Sequence, residues 1–287
     1  MTQFSIAGLQ LALPSCDNRE RIEREIDVTM RRFPWLQMVV LAELATFGVD
    51  TRHAQVLADG EAEAFYRRIA ERHRIWLIPG SLYERSGEAV YNTAPVINPQ
   101  GEVVARYRKI YPFRPYECGV ASGNEIVVFD IPAVGRFGIS ICYDGWFPET
   151  TRAMACQGAT VIIHPTATGT ADRAQELVIA QANAIVNQCF FVDINNAGQL
   201  GNGRSIVVGP EGDVIHQAGE LSEVIALTLD LGRATRARQS GMKGLGQVLK
   251  SFRDSPVLYP CYNNAEPGSD YLQSLGPLAL PQRADPA

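Results

Sequence analysis

The chain has 287 residues, of which 46% are hydrophobic and 20% are charged, and its formal net charge is −5. This length and hydrophobic content suffice for a large buried core, so they exclude an intrinsically disordered chain. The slight acidic excess leaves no surplus positive charge to neutralise a phosphate backbone, so we expect no nucleic-acid partner.

Apolar runs rich in β-branched residues alternate with segments of helical period along the chain, which is typical of an α/β fold. Ten runs predict strands covered on both faces, at residues 4–13, 38–43, 75–83, 93–98, 126–131, 137–142, 160–165, 189–194, 205–209 and 224–230. Helical spacing and end signals predict four helices, at residues 17–33, 60–74, 148–158 and 171–189. Turn sequences at residues 98–101 and 210–213 predict two hairpins. Asp17 and Glu20 have the spacing of a capping box at the first helix.

The tail differs in composition from the rest of the chain. No shift in composition marks a linker before residue 232, whereas six prolines fall in the last 32 residues. We therefore predict one domain over residues 1–232 and an arm over residues 233–287 that wraps this subunit or a neighbour.

Targeting and metal-binding signals are weak. Residues 1–15 contain no positive charge, and no run of 18 apolar residues occurs, so we expect a cytoplasmic protein without a membrane partner. The six cysteines are scattered without a C-x-x-C pair, which predicts neither a zinc site nor a disulfide framework. No phosphate-binding loop appears either, so we expect no metal and no cofactor.

Cys142 is the most informative position in the sequence. It ends an apolar strand and is followed by Tyr143-Asp144-Gly145-Trp146-Phe147-Pro148-Glu149, so the strand breaks into a turn before a helix. This pattern is typical of a nucleophile elbow, in which the side chain is exposed at the sheet edge and backbone N–H groups can face an oxyanion. A buried core cysteine is the alternative interpretation.

Three ionisable residues follow predicted strands or lie close beyond them. Glu43 directly follows the strand at 38–42, Lys109 follows the strand-like residues 103–107, and Glu117 lies eight residues beyond Lys109. Burying a charge at such a position is costly unless the charge is paired or used, so these residues are candidates for a site. Each could alternatively be an ordinary surface charge.

Three segments together resemble the signature regions of the nitrilase superfamily of carbon–nitrogen hydrolases. They are LAELATFG around Glu43, YRKIYPFRPYE from Tyr107 to Glu117, and GISICYDGWFPE from Gly138 to Glu149, and their order matches. The resemblance, which runs from about residue 4 to about residue 230, implies a four-layer αββα sandwich that usually dimerises. It assigns the nucleophile to Cys142, the general base to Glu43, the oxyanion-binding lysine to Lys109 and an additional glutamate to Glu117.

The residues after Cys142 resemble most closely those of aliphatic amidases and formamidases. We therefore expect hydrolysis of a small primary amide through a cysteine thioester, with a nitrilase or an N-carbamoyl amide hydrolase as the alternatives. A catalytically silent binding or assembly subunit is the alternative from another class. Substrate contacts are expected from aromatic and polar residues near the nucleophile, namely Tyr143, Trp146, Phe147, Tyr116 and Thr168. The tail resembles arms that lie across a partner subunit, which favours a homodimer or a higher homo-oligomer.

Overall fold

The structure is a computed structural model that describes residues 2–58, 60–259, 262 and 270–280. The strands are β1 (Gln3–Gln10), β2 (Met38–Leu41), β3 (Trp76–Ile78), β4 (Leu82–Ser86), β5 (Ala89–Ile97), β6 (Val103–Arg108), β7 (Val120–Ala121), β8 (Val128–Ile131), β9 (Gly135–Ile139), β10 (Val161–Thr166), β11 (Phe190–Asn195), β12 (Ile206–Val208), β13 (Val214–Gln217) and β14 (Glu223–Asp230). The helices are α1 (Arg19–Arg32), α2 (Glu61–His73), α3 (Pro148–Cys156), α4 (Arg173–Asn187), α5 (Gly232–Ser240), α6 (Val248–Asp254) and α7 (Asp270–Ser274).

These strands form two sheets with parallel strands at their centres. The first sheet has the order β14-β1-β2-β3-β5-β4, with β6 and β7 also paired to β5, and the second has the order β13-β12-β11-β10-β9-β8. Strands β1, β2 and β3 are mutually parallel, as are β9, β10 and β11. Parallel neighbours need helical crossovers, and these crossovers cover the outer faces of both sheets.

Three hydrophobic clusters define four layers. Between the sheets, inward-facing residues of β1 and β2 pack with those of β9, β10 and β11, among them Phe4, Val40, Phe137, Ile163 and Val192. The opposite face of the first sheet packs on α1 and α2, and the opposite face of the second sheet packs on α3 and α4. The alternation of side chains along each strand supplies both faces, and the αββα sandwich expected from the sequence is confirmed.

One predicted strand is interrupted, and the interruption matters for the site. The apolar run at residues 75–83 splits into β3 and β4 around Pro79-Gly80-Ser81. Gly80 has a φ of +70°, and a Cβ atom there would lie 1.7 Å from the carbonyl oxygen of Ala42. The hydroxyl of Ser81 accepts a hydrogen bond from the backbone N–H of Leu44 at 3.2 Å. The break therefore supports the chain on either side of Glu43.

The four predicted helices are confirmed as α1 to α4, and the two predicted hairpins join β5 to β6 and β12 to β13. The predicted capping box at α1 is wrong. The N-cap residue is Asn18, whose side-chain amide donates instead to the carbonyl oxygens of Pro14 and Ala45. The carboxylate of Asp17 accepts a hydrogen bond from the backbone N–H of Arg19. The predicted capping box would need the backbone N–H of Glu20, one residue later.

The described part of the tail contains helices α5, α6 and α7, so it is not wholly irregular. The division at residue 232 and the wrapping of a partner subunit stay predictions. Cys261 and four of the six tail prolines lie outside the described residues. Within the described residues, every helix is too short or too polar to cross a bilayer.

Candidate active site

The candidate site lies where parallel strands of both sheets end. Glu43 follows β2 of the first sheet, and its backbone N–H donates to the carbonyl oxygen of Thr166 at the end of β10, 3.2 Å away. The side-chain amide of Asn196, just beyond β11, donates to the carbonyl oxygen of Glu43 at 2.6 Å. The two sheets are thus tied together at the residue predicted to be the base.

Cys142 begins a short 3₁₀ helix, Cys142–Trp146, which two residues separate from the end of β9 in the second sheet. Its φ of +47° lies in the left-handed region, which is strained for a residue with a side chain. The next residue, Tyr143, lies in the first turn, where its backbone N–H has no helical carbonyl before it to bond. Strand, sharp turn and helix confirm the elbow geometry expected from the sequence.

The buried carboxylate of Asp144 stabilises this elbow through hydrogen bonds. Its carboxylate accepts hydrogen bonds from the Tyr107 hydroxyl at 2.7 Å and from the backbone N–H groups of Ile141 at 2.9 Å and Tyr111 at 2.8 Å. Burial raises the pKa of Asp144 to about 6, although these hydrogen bonds oppose the shift. The buried carboxyl therefore connects β6, which leads to Lys109, with the turn that carries Cys142.

His164 lies under the same turn. Its Nδ1 atom is 2.8 Å from the hydroxyl of Ser140, and its Nε2 atom would be 3.0 Å from a Cβ atom at Gly145. Burial lowers the pKa of His164 to about 4, so the ring is neutral at pH 7. His164 therefore packs against the turn as a buried, neutral ring.

A fully buried lysine lies between two carboxylates. The Lys109 ammonium donates to Glu43 Oε1 at 2.8 Å and to Glu117 Oε2 at 2.7 Å, and only 1% of the lysine is exposed. The backbone N–H of Phe113 also donates to Glu117 Oε2, at 2.5 Å. The structure thus brings together the three charged residues that the sequence singled out.

Asn92, which the sequence interpretation missed, bridges the two glutamates. Its side-chain amide donates to Glu43 Oε1 at 2.8 Å and to Glu117 Oε1 at 3.2 Å. Its backbone carbonyl also accepts from the backbone N–H of Lys109 at 2.8 Å. Asn92 therefore positions all three charged residues; we call Glu43, Asn92, Lys109 and Glu117 the cavity cluster.

The electrostatics of the cavity cluster fix the resting protonation states. Burial alone would lower the pKa of Lys109, but the negative charges around it, Glu43 first, raise it well above its usual value. Burial raises the pKa of Glu117, and the adjacent Lys109 ammonium overcomes this and lowers it. Burial and the Glu43 charge raise the pKa of the Cys142 thiol well above its usual value. Cys142 therefore rests as a neutral thiol, which would need a base in order to act as a nucleophile.

A second buried set of charges lies on another side of Cys142. The Thr168 hydroxyl is 3.8 Å from Cys142 Sγ and donates to Glu176 Oε1 at 3.0 Å. The Arg173 guanidinium, which is fully buried, donates to Glu176 at 3.0 Å and to both oxygens of Asp193 at 2.9 and 3.0 Å. Burial is the main cause of the raised pKa of Glu176. We call Thr168, Arg173, Glu176 and Asp193 the interior cluster.

A cavity of about 260 Å³ opens above the thiol. It is lined by four residues of the predicted catalytic set and by apolar or aromatic side chains, namely Glu43, Lys109, Glu117, Cys142, Leu44, Val49, Tyr83, Phe113, Tyr116 and Ala167. In the described residues, no group of three or more histidines, cysteines or acidic side chains has a metal-binding arrangement. The cavity therefore pairs a thiol and ionised groups with an apolar wall.

The five predicted substrate-binding residues occupy different places. Tyr116 lines the cavity, and Thr168 lies beside the sulfur without being part of the lining. Tyr143, Trp146 and Phe147 are not among the described residues that line the cavity. The three rings contact one another, and the centre of the Tyr143 ring lies 4.9 Å from that of Phe113, which lines the cavity. The aromatic cluster therefore packs against a lining residue and supports the cavity wall. A direct role in substrate binding stays a prediction for all five.

Comparisons with known proteins show the family that the chain matches. The family described as carbon-nitrogen hydrolase matches residues 7–239. The 2-oxoglutaramate amidase of Bacillus subtilis (strain 168) is 27% identical over 249 residues, which cover 83% of this chain and 95% of that protein. A formamidase of Helicobacter acinonychis is 28% identical over 68% of this chain, but the match spans only 63% of the formamidase.

Solved structures show the same fold. The crystal structure of Saccharomyces cerevisiae Nit3, described as a member of branch 10 of the nitrilase superfamily, is 28% identical with a TM-score of 0.77, covering 83% of this chain and 94% of Nit3. A mutant of the amidase from Nesterenkonia sp. AN1, in complex with butyramide, is 25% identical with a TM-score of 0.72, covering 83% of this chain and 95% of the amidase.

Proposed function

The chain belongs to the carbon–nitrogen hydrolase family of the nitrilase superfamily, and from this premise we propose that it is an amidase for a small primary amide. The products are a carboxylic acid and ammonia. The observation that carries the proposal is one cavity lined by the Cys142 thiol and by an ammonium, Lys109, held between two carboxylates. The amidase names of its relatives favour an amide over a nitrile.

In the first step, Cys142 attacks the amide carbonyl while Glu43 takes the thiol proton. The raised pKa of Cys142 makes this base necessary, because the resting thiol is a poor nucleophile. The hydrogen bonds from Lys109 and Asn92 both reach Glu43 Oε1, so Oε2 remains available for the proton. A positioned base of this kind typically contributes 10²- to 10⁴-fold, roughly, to the rate.

The attack places negative charge on the carbonyl oxygen. The Lys109 ammonium and the backbone N–H of Tyr143 stabilise this oxyanion, each by about 3 kcal/mol in a water-poor site. Lys109 is suited to this because its charge is compact and its three N–H donors can serve two carboxylates and the substrate together. Its raised pKa keeps it an ammonium throughout the cycle.

The C–N bond then breaks and Glu43 gives its proton to the departing nitrogen, so ammonia leaves and a thioester remains on Cys142. Glu43 next removes a proton from water, which attacks the thioester. The C–S bond breaks, and the proton returns from Glu43 to the sulfur as the acid departs. Glu117 holds Lys109 and the Phe113 backbone, so it orients the oxyanion donor.

Two alternatives use the same cavity. A nitrile or an N-carbamoyl amide would pass through the same cysteine adduct, so the geometry accommodates both chemistries. A silent binding subunit would not need a buried ammonium at the thiol, because burying these charges is costly. We further propose that the protein works in the cytoplasm as a homo-oligomer on a small-molecule substrate, without a metal or cofactor.

The test combines ammonia release with trapping of the intermediate. Purified protein is assayed with short aliphatic amides, the matching nitriles and N-carbamoyl amino acids, and an acid quench followed by mass spectrometry locates the acyl group. We expect ammonia from amides and an acyl adduct on Cys142. Cys142→Ala should lower turnover at least about 10⁴-fold while Cys16→Ala, at an exposed thiol, leaves it unchanged. Release above a few per cent in Cys142→Ala would refute the nucleophile assignment.

A further inference from the structure

The Thr168 hydroxyl lies between the thiol and a buried carboxylate. Its oxygen is 3.8 Å from Cys142 Sγ and 3.0 Å from Glu176 Oε1. An ionised carboxylate only accepts hydrogen bonds, so the hydroxyl proton of Thr168 points toward Glu176. The lone pairs of the Thr168 oxygen are then left for the thiol, and the S–H group of Cys142 donates to them. The resting thiol proton is therefore one hydroxyl away from Glu176.

Glu176 is suited to take up a proton. Arg173 donates one hydrogen bond to Glu176 Oε2, whereas it donates to both oxygens of Asp193. Two carboxylates and one guanidinium leave one negative charge in excess in a buried region, and a proton on Glu176 would remove that excess. Burial and then the Asp193 charge raise the pKa of Glu176, although Arg173 opposes the shift. Glu176 Oε1 thus faces Thr168 as a carboxylate oxygen that binds protons readily.

We propose that Thr168 and Glu176 form a second route for the thiol proton of Cys142, separate from Glu43. As the sulfur attacks an electrophile, the S–H bond breaks and its proton binds to the Thr168 oxygen. The O–H bond of Thr168 breaks in the same step, and that proton binds to Glu176 Oε1. The hydroxyl is regenerated, Glu176 becomes a neutral carboxylic acid, and the electron pair of the S–H bond forms the bond to the electrophile.

The two routes differ in the steps that they can serve. In the described part of the chain, the residues lining the cavity include Glu43 but neither Thr168 nor Glu176. Glu43 can therefore return the proton to a departing nitrogen, whereas the second route serves only the attack by sulfur. This inference rests on the proposed function for the role of Glu43. It predicts that Glu43→Gln loses amide turnover but keeps a thiol that reacts with an electrophile whose leaving group needs no proton.

Iodoacetamide measures the attack alone, because iodide leaves without a proton. Peptide mapping gives the alkylation rate of Cys142, with the exposed Cys16 in the same digests as the reference for the reagent. We expect Thr168→Val to lower this rate less than about 3-fold when Glu43 is present and at least about 10-fold in the Glu43→Gln background. An equal change in both backgrounds would overturn the second route, since the substitution would then only disturb packing around the sulfur.

Further variants in the Glu43→Gln background separate proton transfer from packing, with rates expressed per folded molecule. Thr168→Ser keeps the hydroxyl and should keep the alkylation rate within about 3-fold. Glu176→Gln keeps a hydrogen-bond acceptor for Thr168 but removes the base, so the rate should fall at least about 10-fold. The matched control is Thr160→Val, just before β10 begins, and it should leave the rate unchanged. An unchanged rate in Glu176→Gln would overturn the route.

Ammonia release from short amides, measured on the same proteins, distinguishes this inference from the proposed function. The expected alkylation pattern without ammonia release by the wild type would refute the amidase function and support the second route. Ammonia release by the wild type, together with equal effects of Thr168→Val in both backgrounds, would refute the second route and leave the amidase function standing.

Discussion

The cavity cluster and the interior cluster are built to the same plan but differ in what their cation can do. In each, one cation that is essentially unexposed lies between two carboxylates. In the cavity cluster the cation is Lys109, a compact charge that opens onto a cavity. In the interior cluster it is Arg173, whose planar group is held on both oxygens of Asp193.

This difference indicates separate purposes for the two clusters. An ammonium can donate one of its N–H groups to a newly formed oxyanion. A guanidinium that already donates to two carboxylates cannot easily reorient toward a new acceptor. Thr168 is the member of the interior cluster whose hydroxyl lies beside the sulfur, and the charge of Glu176 contributes to the raised pKa of Cys142. We therefore expect changes in the cavity cluster to affect mainly the rate and changes in the interior cluster to affect mainly the stability.

The largest effect is expected for Lys109→Met. Removing the ammonium takes away an oxyanion donor and leaves Glu43 and Glu117 without their shared partner, so kcat/KM should fall at least about 10³-fold. Ammonia release measured per folded molecule, with folding followed by circular dichroism, separates rate from stability. The control Lys243→Met, at an exposed lysine, should keep full activity. A loss below 10-fold in Lys109→Met would rule out the oxyanion role.

Arg173→Met should lower the stability of the fold and leave the rate per folded molecule nearly unchanged. Asp193 and Glu176 would stay buried without their cation, so the free energy of unfolding should fall by about 3–5 kcal/mol, as denaturant titration measures it. The rate per folded molecule should change less than about 3-fold. Arg236→Met removes a partly exposed pair with Asp230 and should cost under about 1 kcal/mol. If Arg173→Met instead kept its stability and lost its rate, the comparison would be wrong.

Asp144, which lies in the turn that carries Cys142, sharpens the comparison through pH. Burial raises its pKa from 3.8 to about 6, so the folded state holds this proton more tightly than the unfolded state. The resulting stabilisation is complete below pH 4 and is lost as the pH rises to about 6. Unfolding titrations should show the advantage of wild type over Asp144→Asn falling by about 3 kcal/mol across that window. A rising advantage would contradict the raised pKa.

Asn92→Asp is expected to have the smallest of these effects. The substitution keeps the shape of the side chain but replaces two donated hydrogen bonds with a third negative charge beside Glu43 and Glu117. kcat/KM should fall about 100-fold at pH 7 and recover in part at lower pH, because protonation of the new carboxyl restores a donor. Asn98→Asp, at the hairpin after β5, is the matched control and should leave the rate unchanged.

The sequence pointed to those candidate site residues that end an apolar run or closely follow a strand. Glu43 and Cys142 end apolar runs, and Lys109 follows a strand, so each stood out as a polar group where burial is expected. Asn92 was missed because an uncharged residue before the run at 93–98 looks like an ordinary strand start. Asp193 did lie inside an apolar run, but its partner Arg173 comes from a helix packed on the other face. Only the packing of α4 on β11 reveals that pair.

The fold was predictable for a related reason. The apolar runs and the helical spacing predicted an α/β fold, whereas the four-layer αββα arrangement was implied by the resemblance to the nitrilase superfamily. The break at Gly80 was not predictable from hydrophobicity, because residues on both sides of it are buried and apolar. Its cause is the close approach of the Ala42 backbone, and its mark in the sequence is the turn-forming dipeptide Pro79-Gly80 inside the apolar run.

The pairing of β1 with β14 also has a consequence for biosynthesis. Residues Gln3–Gln10 are made more than 200 residues before their antiparallel partners at Glu223–Asp230. Until β14 is made, β1 can pair with β2 on one edge, but its other edge has no partner strand. Strand β2 is the strand that leads directly to Glu43. The nascent chain therefore exposes the unpaired backbone groups of β1 through most of its synthesis. The first sheet is completed only when β1 pairs with β14, which is one of the most sequence-distant contacts in the molecule.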